Sequence, residues 1–137
     1  MESPIQNLHY AIGQLAYAVA HADGMVQPEE RQKFQRIIEA GLRCGDYDFD
    51  VSEIIFRIMD HDQHDSKTVY QWAMNEIRNN SHYLSPQLKR AFIKVMEKIA
   101  RAYPPVTENE QRIIDQFKKD IGPLEGDPVF YTMYNLK

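Results

Sequence analysis

Two stretches of this 137-residue chain carry the residue types that could do chemistry. The first is Asp60-His61-Asp62-Gln63-His64-Asp65. Imidazole and carboxylate donors at this density suit zinc, nickel or copper. His61 and His64 are three apart, so a helical segment brings both rings toward one ion, with Asp60, Asp62 and Asp65 as oxygen donors. The bland alternative is a solvated polar loop. In that reading Asp62 or Asp65 caps the following helix, in place of the Ser66 that also suits the position.

The second stretch is Ala20-His21-Ala22-Asp23-Gly24-Met25-Val26-Gln27-Pro28-Glu29-Glu30. Asp-Gly favours a tight turn, because glycine accepts backbone angles that other residues resist. Pro28 suits the first turn of a new helix, where its missing N–H costs nothing. Glu29 and Glu30 then meet the positive end of that helix dipole. Asp23, Gly24, Val26 and Glu30 also match positions 5, 6, 8 and 12 of a calcium-binding EF-hand loop. Positions 1 and 3 are Val19 and His21, still at the end of the preceding helix, so the usual oxygen set is broken. Three readings stay open. Asp23 shapes the turn while the glutamates favour the helix start, or Asp23, Glu29 and Glu30 hold a divalent cation weakly, or the corner docks a protein partner. A divalent cation is the one cofactor these residues admit.

Catalysis is not expected. Cys44 stands alone with nothing nearby to activate it, and a lone cysteine forms no intrachain disulfide. No serine sits in a Gly-x-Ser-x-Gly setting, and no glycine-rich phosphate loop is present.

The elements that must position these stretches all read as helices. Ser3-Pro4 starts the first, and Ile5, Leu8, Ile12, Leu15, Val19 and Ala22 form one apolar stripe. A second helix spans about 28–43, buries Phe34, Ile37 and Ile38, and stops at Gly45. After the polar Asp46–Asp50 connection, a third spans about 51–60 with Ile54, Ile55, Ile58 and Met59 apolar, and His61–Asp65 breaks it. A fourth reaches Asn79 and offers Val69, Trp72, Ala73 and Ile77 to the core. Ser85-Pro86 starts a fifth, with Leu88, Phe92, Val95, Ile99 and Ala102 at helical spacing. Thr107-Glu108-Asn109-Glu110 is a capping box that opens a sixth, which Gly122-Pro123 ends. Only Val129-Phe130-Tyr131 leans toward β-structure. Trp72, Phe92 and Phe117 are at core spacing.

A shift of 80 positions superimposes the two ends of the chain. Leu8, Ile12, Leu15 and Val19 fall on Leu88, Phe92, Val95 and Ile99. The register continues through Val26 on Val106 and Glu30 on Glu110, then Phe34 on Ile114 and Ile37 on Phe117. That favours an internal repeat. In the second copy Asp23-Gly24-Met25 is replaced by Tyr103-Pro104-Pro105, so only the first has an acidic corner.

The pattern Ala20-x-Ala22-Asp23-Gly24-x-Val26-x-x-x-Glu30, closing one helix and opening the next, resembles the signature of the TerB-like tellurite-resistance family. The same module is similar to the N-terminal part of DjlA-type DnaJ co-chaperones. The resemblance covers about residues 5–122. It implies a compact all-helical domain with a second, related helical pair, and a link to tellurite resistance or a wider stress response. The Tyr-Pro-Pro corner departs from members with two acidic corners.

Composition narrows the classes further. Charged residues at 26% and apolar ones at 43% are ordinary globular usage, enough for one domain with a proper core. A net charge of −4 disfavours a nucleic-acid surface. The second helix of each pair is not strongly basic either, which argues against helix-turn-helix DNA binding. No apolar span approaches the ~20 residues of a membrane helix. No signal peptide is visible, nor a J-domain His-Pro-Asp, so a membrane-anchored co-chaperone is not expected. A cytoplasmic protein is.

The expected architecture is an all-α bundle of about six helices over residues 1–123, with two related helix–corner–helix units around a shared core. Residues 124–137 form an aromatic tail that packs on the domain or on a partner, a second copy included, as in a homodimer. Three functions follow: a non-catalytic TerB-like module acting through a protein partner or weakly bound divalent ion at the corner; a transition-metal-binding or sensing protein using the Asp/His stretch; and a structural interaction domain whose contact is the tail.

Overall fold

The computed structural model describes residues 4–22, 32, 58, 59, 61, 62, 64–101 and 106–131. The acidic corner, Cys44, most of the second and third predicted helices, and the tail beyond Tyr131 lie outside the described residues. Four long helices are described: α1 (Pro4–Ala20), α2 (Ser66–Asn79), α3 (Pro86–Arg101) and α4 (Glu108–Ile121). A 3-10 turn, Ser81–Tyr83, follows α2, and a four-residue α5, Pro128–Tyr131, ends the described chain. The described residues contain no strand, and the protein is all-α.

α1 carries no charged residue and packs against α2, α3 and α4. Leu8, Ile12, Leu15 and Val19 are buried, as their spacing requires. Ala11, Ala16, Tyr17 and Ala18 are buried too, so α1 is enclosed on all sides and forms the axis of the bundle. Small side chains let its neighbours approach. α2 contributes Val69, Tyr70, Ala73, Met74 and Ile77, and α3 contributes Leu88, Phe92, Val95, Met96 and Ile99. Phe92 meets Phe117 of α4 edge to face, with ring centroids 6.0 Å apart, a favoured aromatic geometry.

The helix starts follow local chemistry. The Thr107 hydroxyl accepts from the Glu110 N–H at 3.2 Å, and the Glu110 carboxylate accepts from the Thr107 N–H at 2.9 Å. This is the capping box its sequence predicts. Ser85 Oγ accepts from the Leu88 N–H at 3.1 Å at the start of α3. At α2 the cap is Asp65 rather than Ser66, which is the first helical residue. A carboxylate also favours the dipole more than a hydroxyl does.

Three expectations need correction. Trp72 is at core spacing but 39% exposed, and Tyr70 and Met74 fill the core instead, because the buried stripe of α2 runs through 69, 70, 73, 74 and 77. His61 and Asp62 are helical rather than the break, which comes at His64–Asp65. Val129–Tyr131 forms a helical turn, since Asp127 Oδ1 accepts from the Val129 N–H and the Asp127 carbonyl from those of Phe130 and Tyr131.

The segment after α4 turns back over the start of α3. Leu124 packs on the core, and its carbonyl accepts from Lys89 Nζ at 2.8 Å. The Asp127 N–H donates to the His82 carbonyl at 2.9 Å, and Phe130 stacks on His82 with centroids 5.4 Å apart. Gly126 sits where the chain passes Leu84. A Cβ there would run into the Leu84 carbonyl and lie 2.9 Å from the Tyr131 ring.

Candidate functional site

The Asp/His segment is built around Asp62. His61 Nδ1 lies 3.2 Å from one of its carboxylate oxygens and His64 Nε2 lies 3.6 Å from the other. Two imidazoles therefore converge on one carboxylate. His61 is almost fully exposed, and Asp62 and His64 are partly so. Asp65 is used differently: its Oδ2 accepts from the N–H of Thr68 at 3.1 Å and from its hydroxyl at 3.3 Å, as the cap of α2. The ring of His64 meets the exposed Trp72 edge on, with centroids 4.9 Å apart. A transition metal needs three or four donors aimed at one point about 2 Å away. Among the described residues no group of three or more His, Cys, Asp or Glu side chains is arranged that way. Asp60 lies outside them.

Asp23, Glu29 and Glu30 also lie outside the described residues, but the approach to their corner does not. After α1 the chain makes one more turn, with the His21 N–H on the Tyr17 carbonyl at 2.8 Å and the Ala22 N–H on the Val19 carbonyl at 3.2 Å. Val19, at the first position of the EF-hand register, is buried inside α1 and supplies no side-chain oxygen. His21, at the third, stacks flat on the Tyr17 ring, with centroids 5.0 Å apart and planes 16° from parallel. Its Nε2 is enclosed, with no hydrogen-bond partner among the described residues.

Tyr17 joins the two stretches. Its ring carries His21, and its hydroxyl donates to the His64 carbonyl at 2.6 Å across 47 positions of sequence. Tyr17 is itself fully buried. The end of α1, three residues before Asp23, is thereby fixed beside the Asp/His segment. The residues that lead into the second stretch are thus neighbours of the first. An aromatic four residues before a histidine on a helix was a legible signal for the stack. Nothing in the sequence pointed to the bond with His64.

Between α2 and α4 lies a groove of about 350 Å³ holding a second polar pair. The Tyr70 hydroxyl donates to Asp120 Oδ2 at 2.6 Å, and Gln116 Nε2 donates to Asp120 Oδ1 at 2.9 Å. Burial first, and then the Asp120 hydrogen bond and charge, push the Tyr70 hydroxyl far above the ordinary tyrosine range. It stays protonated as a donor, so it is a strut between helices rather than a base.

No described helix is long and apolar enough to cross a membrane. Comparison with curated proteins and with solved structures finds no match. A family model described as "Tellurite resistance protein TerB" matches residues 9–122, from within α1 through the end of α4. That span is well over half of the chain and stops just before the segment that folds back over α3. With the all-helical architecture and the Ala20–Glu30 pattern, this match places the chain in the TerB family of tellurite-resistance proteins.

Proposed function

We propose that this tellurite-resistance-associated module works without catalysis, in the cytoplasm, by docking a protein partner or weakly holding a divalent ion at the acidic corner. Asp23 directs an oxygen acceptor there, and Glu29 and Glu30 supply further negative charge. The observation that carries the reading is the Tyr17 junction. It fixes His21, two residues before Asp23, on Tyr17, which is bonded to the segment that holds Asp62 and Asp65. The unpartnered Nε2 of His21 adds a polar atom at the same place. An unsatisfied buried ring nitrogen costs about 1–3 kcal/mol unless something pairs with it.

A second reading is favoured by one feature, the convergence of His61 and His64 on Asp62. In this reading a zinc or nickel ion replaces that self-contact, and Asp60, Asp62 and Asp65 are the candidate oxygen donors.

A thermal-shift titration of metal-stripped protein with calcium, magnesium, zinc and nickel separates the readings. A ligand at 100 times its dissociation constant adds about 2.7 kcal/mol, a shift of several degrees. A calcium or magnesium shift lost in Asp23→Ala supports an ion at the corner. A zinc or nickel shift lost only in the His61→Ala/His64→Ala double variant supports the second reading. No shift with any ion at millimolar concentration leaves partner docking, which charge reversal at Glu29 and Glu30 must then abolish.

A further inference from the structure

We infer that the outer face of α3 and the groove beside it dock an acidic peptide segment of a partner protein, with an aromatic or aliphatic residue of that segment seated in the groove. This surface shares no residue with the corner. α3 holds Lys89, Arg90, Lys94, Lys98 and Arg101 against a single acid, Glu97, in a chain of net charge −4. Arg90, Lys94, Lys98 and Arg101 recur at steps of four, four and three, so they share one stripe. That stripe lies opposite the buried Leu88, Phe92, Val95 and Ile99.

The stripe is only partly neutralised. Glu97 lies 3.9 Å from Arg101 and 3.4 Å from Lys118 of α4. Among the described residues no carboxylate pairs with Arg90 or Lys94, and both are exposed. Same-sign charges on one helix face repel each other. An anionic partner relieves that repulsion.

Arg90 also lines a groove of about 500 Å³ between α3 and the returning tail. Leu84, Ile93, Pro128 and Tyr131 give it apolar walls, and Glu125 is its one carboxylate among the described residues. The tail wall is held in place by Lys89, whose ammonium donates to the Leu124 carbonyl at 2.8 Å and lies 3.4 Å from that of Gly122. Beyond the groove, Val129 is 70% exposed. A preformed apolar cleft at the end of a cationic stripe matches a segment with one apolar anchor and several carboxylates. The anchor supplies burial, while the stripe supplies encounter rate and register. Nucleic acid has no use for the apolar cleft, and a flat lipid surface cannot enter it.

The test uses the full chain and a fluorescein-labelled probe peptide, Asp-Glu-Asp-Phe-Glu-Glu-Leu-Asp, followed by anisotropy. Binding is expected at sub-millimolar concentration, falling steeply with salt. Arg90→Glu/Lys94→Glu should weaken it by at least about tenfold, and Lys67→Glu/Lys119→Glu, an equal charge change elsewhere, by less than about twofold. Tyr131→Ala should weaken binding at unchanged salt dependence. If the double reversal fails to fold by circular dichroism, Arg90→Gln/Lys94→Gln replaces it, with a loss of at least about threefold expected. The inference is overturned by no binding at about 1 mM probe, by equal loss in the control variant, or by undiminished binding of the Asn/Gln version of the peptide. Two further results also overturn it, in favour of another occupant. One is sedimentation with anionic phosphatidylglycerol vesicles that the α3 reversal abolishes. The other is self-association that the same reversal breaks.

Discussion

α1 and α3 carry the same apolar stripe 80 positions apart, yet they live in different surroundings. Leu8, Ile12, Leu15 and Val19 are buried on one, and Leu88, Phe92, Val95 and Ile99 on the other. Away from the stripe they diverge. Ala18 is wholly buried where α3 has Lys98, and Tyr17 and His21 form a stacked pair where α3 has the Glu97–Arg101 ion pair. One helix is the axis of the bundle, and the other keeps a wet, cationic face. The lesson is that an amphipathic stripe decides which face turns inward. The residues around the rest of the circumference record whether the helix is then enclosed.

Exchanging the divergent positions is the most severe test of this contrast. Ala18→Lys puts an ammonium into a packed interior. It should cost at least about 4 kcal/mol and abolish cooperative urea unfolding. The reciprocal Lys98→Ala should change stability by less than about 0.5 kcal/mol. A folded, stable Ala18→Lys protein would mean that α1 is not enclosed. Next come the shared stripes. Leu8→Ala and Leu88→Ala should each cost about 2–5 kcal/mol, since both side chains are buried to the same degree. A cost at Leu88 near zero would show that α3 can peel away from the core.

The junction positions give a smaller difference. Tyr17→Phe removes the hydroxyl that holds the His64 carbonyl and should cost about 1 kcal/mol in chemical denaturation. It should also shift the fluorescence of Trp72, the single tryptophan, because His64 contacts its ring. Glu97→Gln at the matching position of α3 breaks only half-exposed surface pairs and should cost less than about 0.5 kcal/mol. Equal costs at the two positions would erase the distinction drawn here.

The polar strut outside both helices behaves differently again. Tyr70→Phe should cost about 1 kcal/mol near neutrality. Its raised pKa also sets a sign with pH. The unfolded chain releases the tyrosine proton above about pH 10 while the folded chain keeps it, so stability falls as pH rises through that range. Alkaline denaturation melts of Tyr70→Phe should show a shallower decline than those of the parent. An unchanged slope would remove the Tyr70 hydroxyl as the cause.

Much of the fold was open to inspection in the residues. The spacing of Leu88, Phe92, Val95 and Ile99 marks the inner face of α3, and Thr107 with Glu110 marks the start of α4 to the residue. Both depend on atoms within one or two turns of each other. Trp72 was misplaced because it flanks the stripe of α2. Two neighbouring aromatics can each satisfy a helical period, and the packing chose Tyr70, whose hydroxyl reaches Asp120. The candidate site was legible only as residue types. Asp65 had two readings, metal ligand and cap, and the structure shows the cap, with its carboxylate on a backbone N–H three residues away.

By itself, then, the chain's order of residues determined the long described helices, the inward face of α3, the cap of α4 and the family to which the protein belongs. Each of these rests on periodicity or on contacts a few positions apart. Only the tertiary structure decided that α1 is enclosed, that Tyr17 fastens the end of α1 to His64, and that Arg90 stands over an apolar groove walled by the returning tail. Those contacts span tens of residues. Their energy depends on which surfaces meet after the helices have packed, a quantity no local spacing encodes.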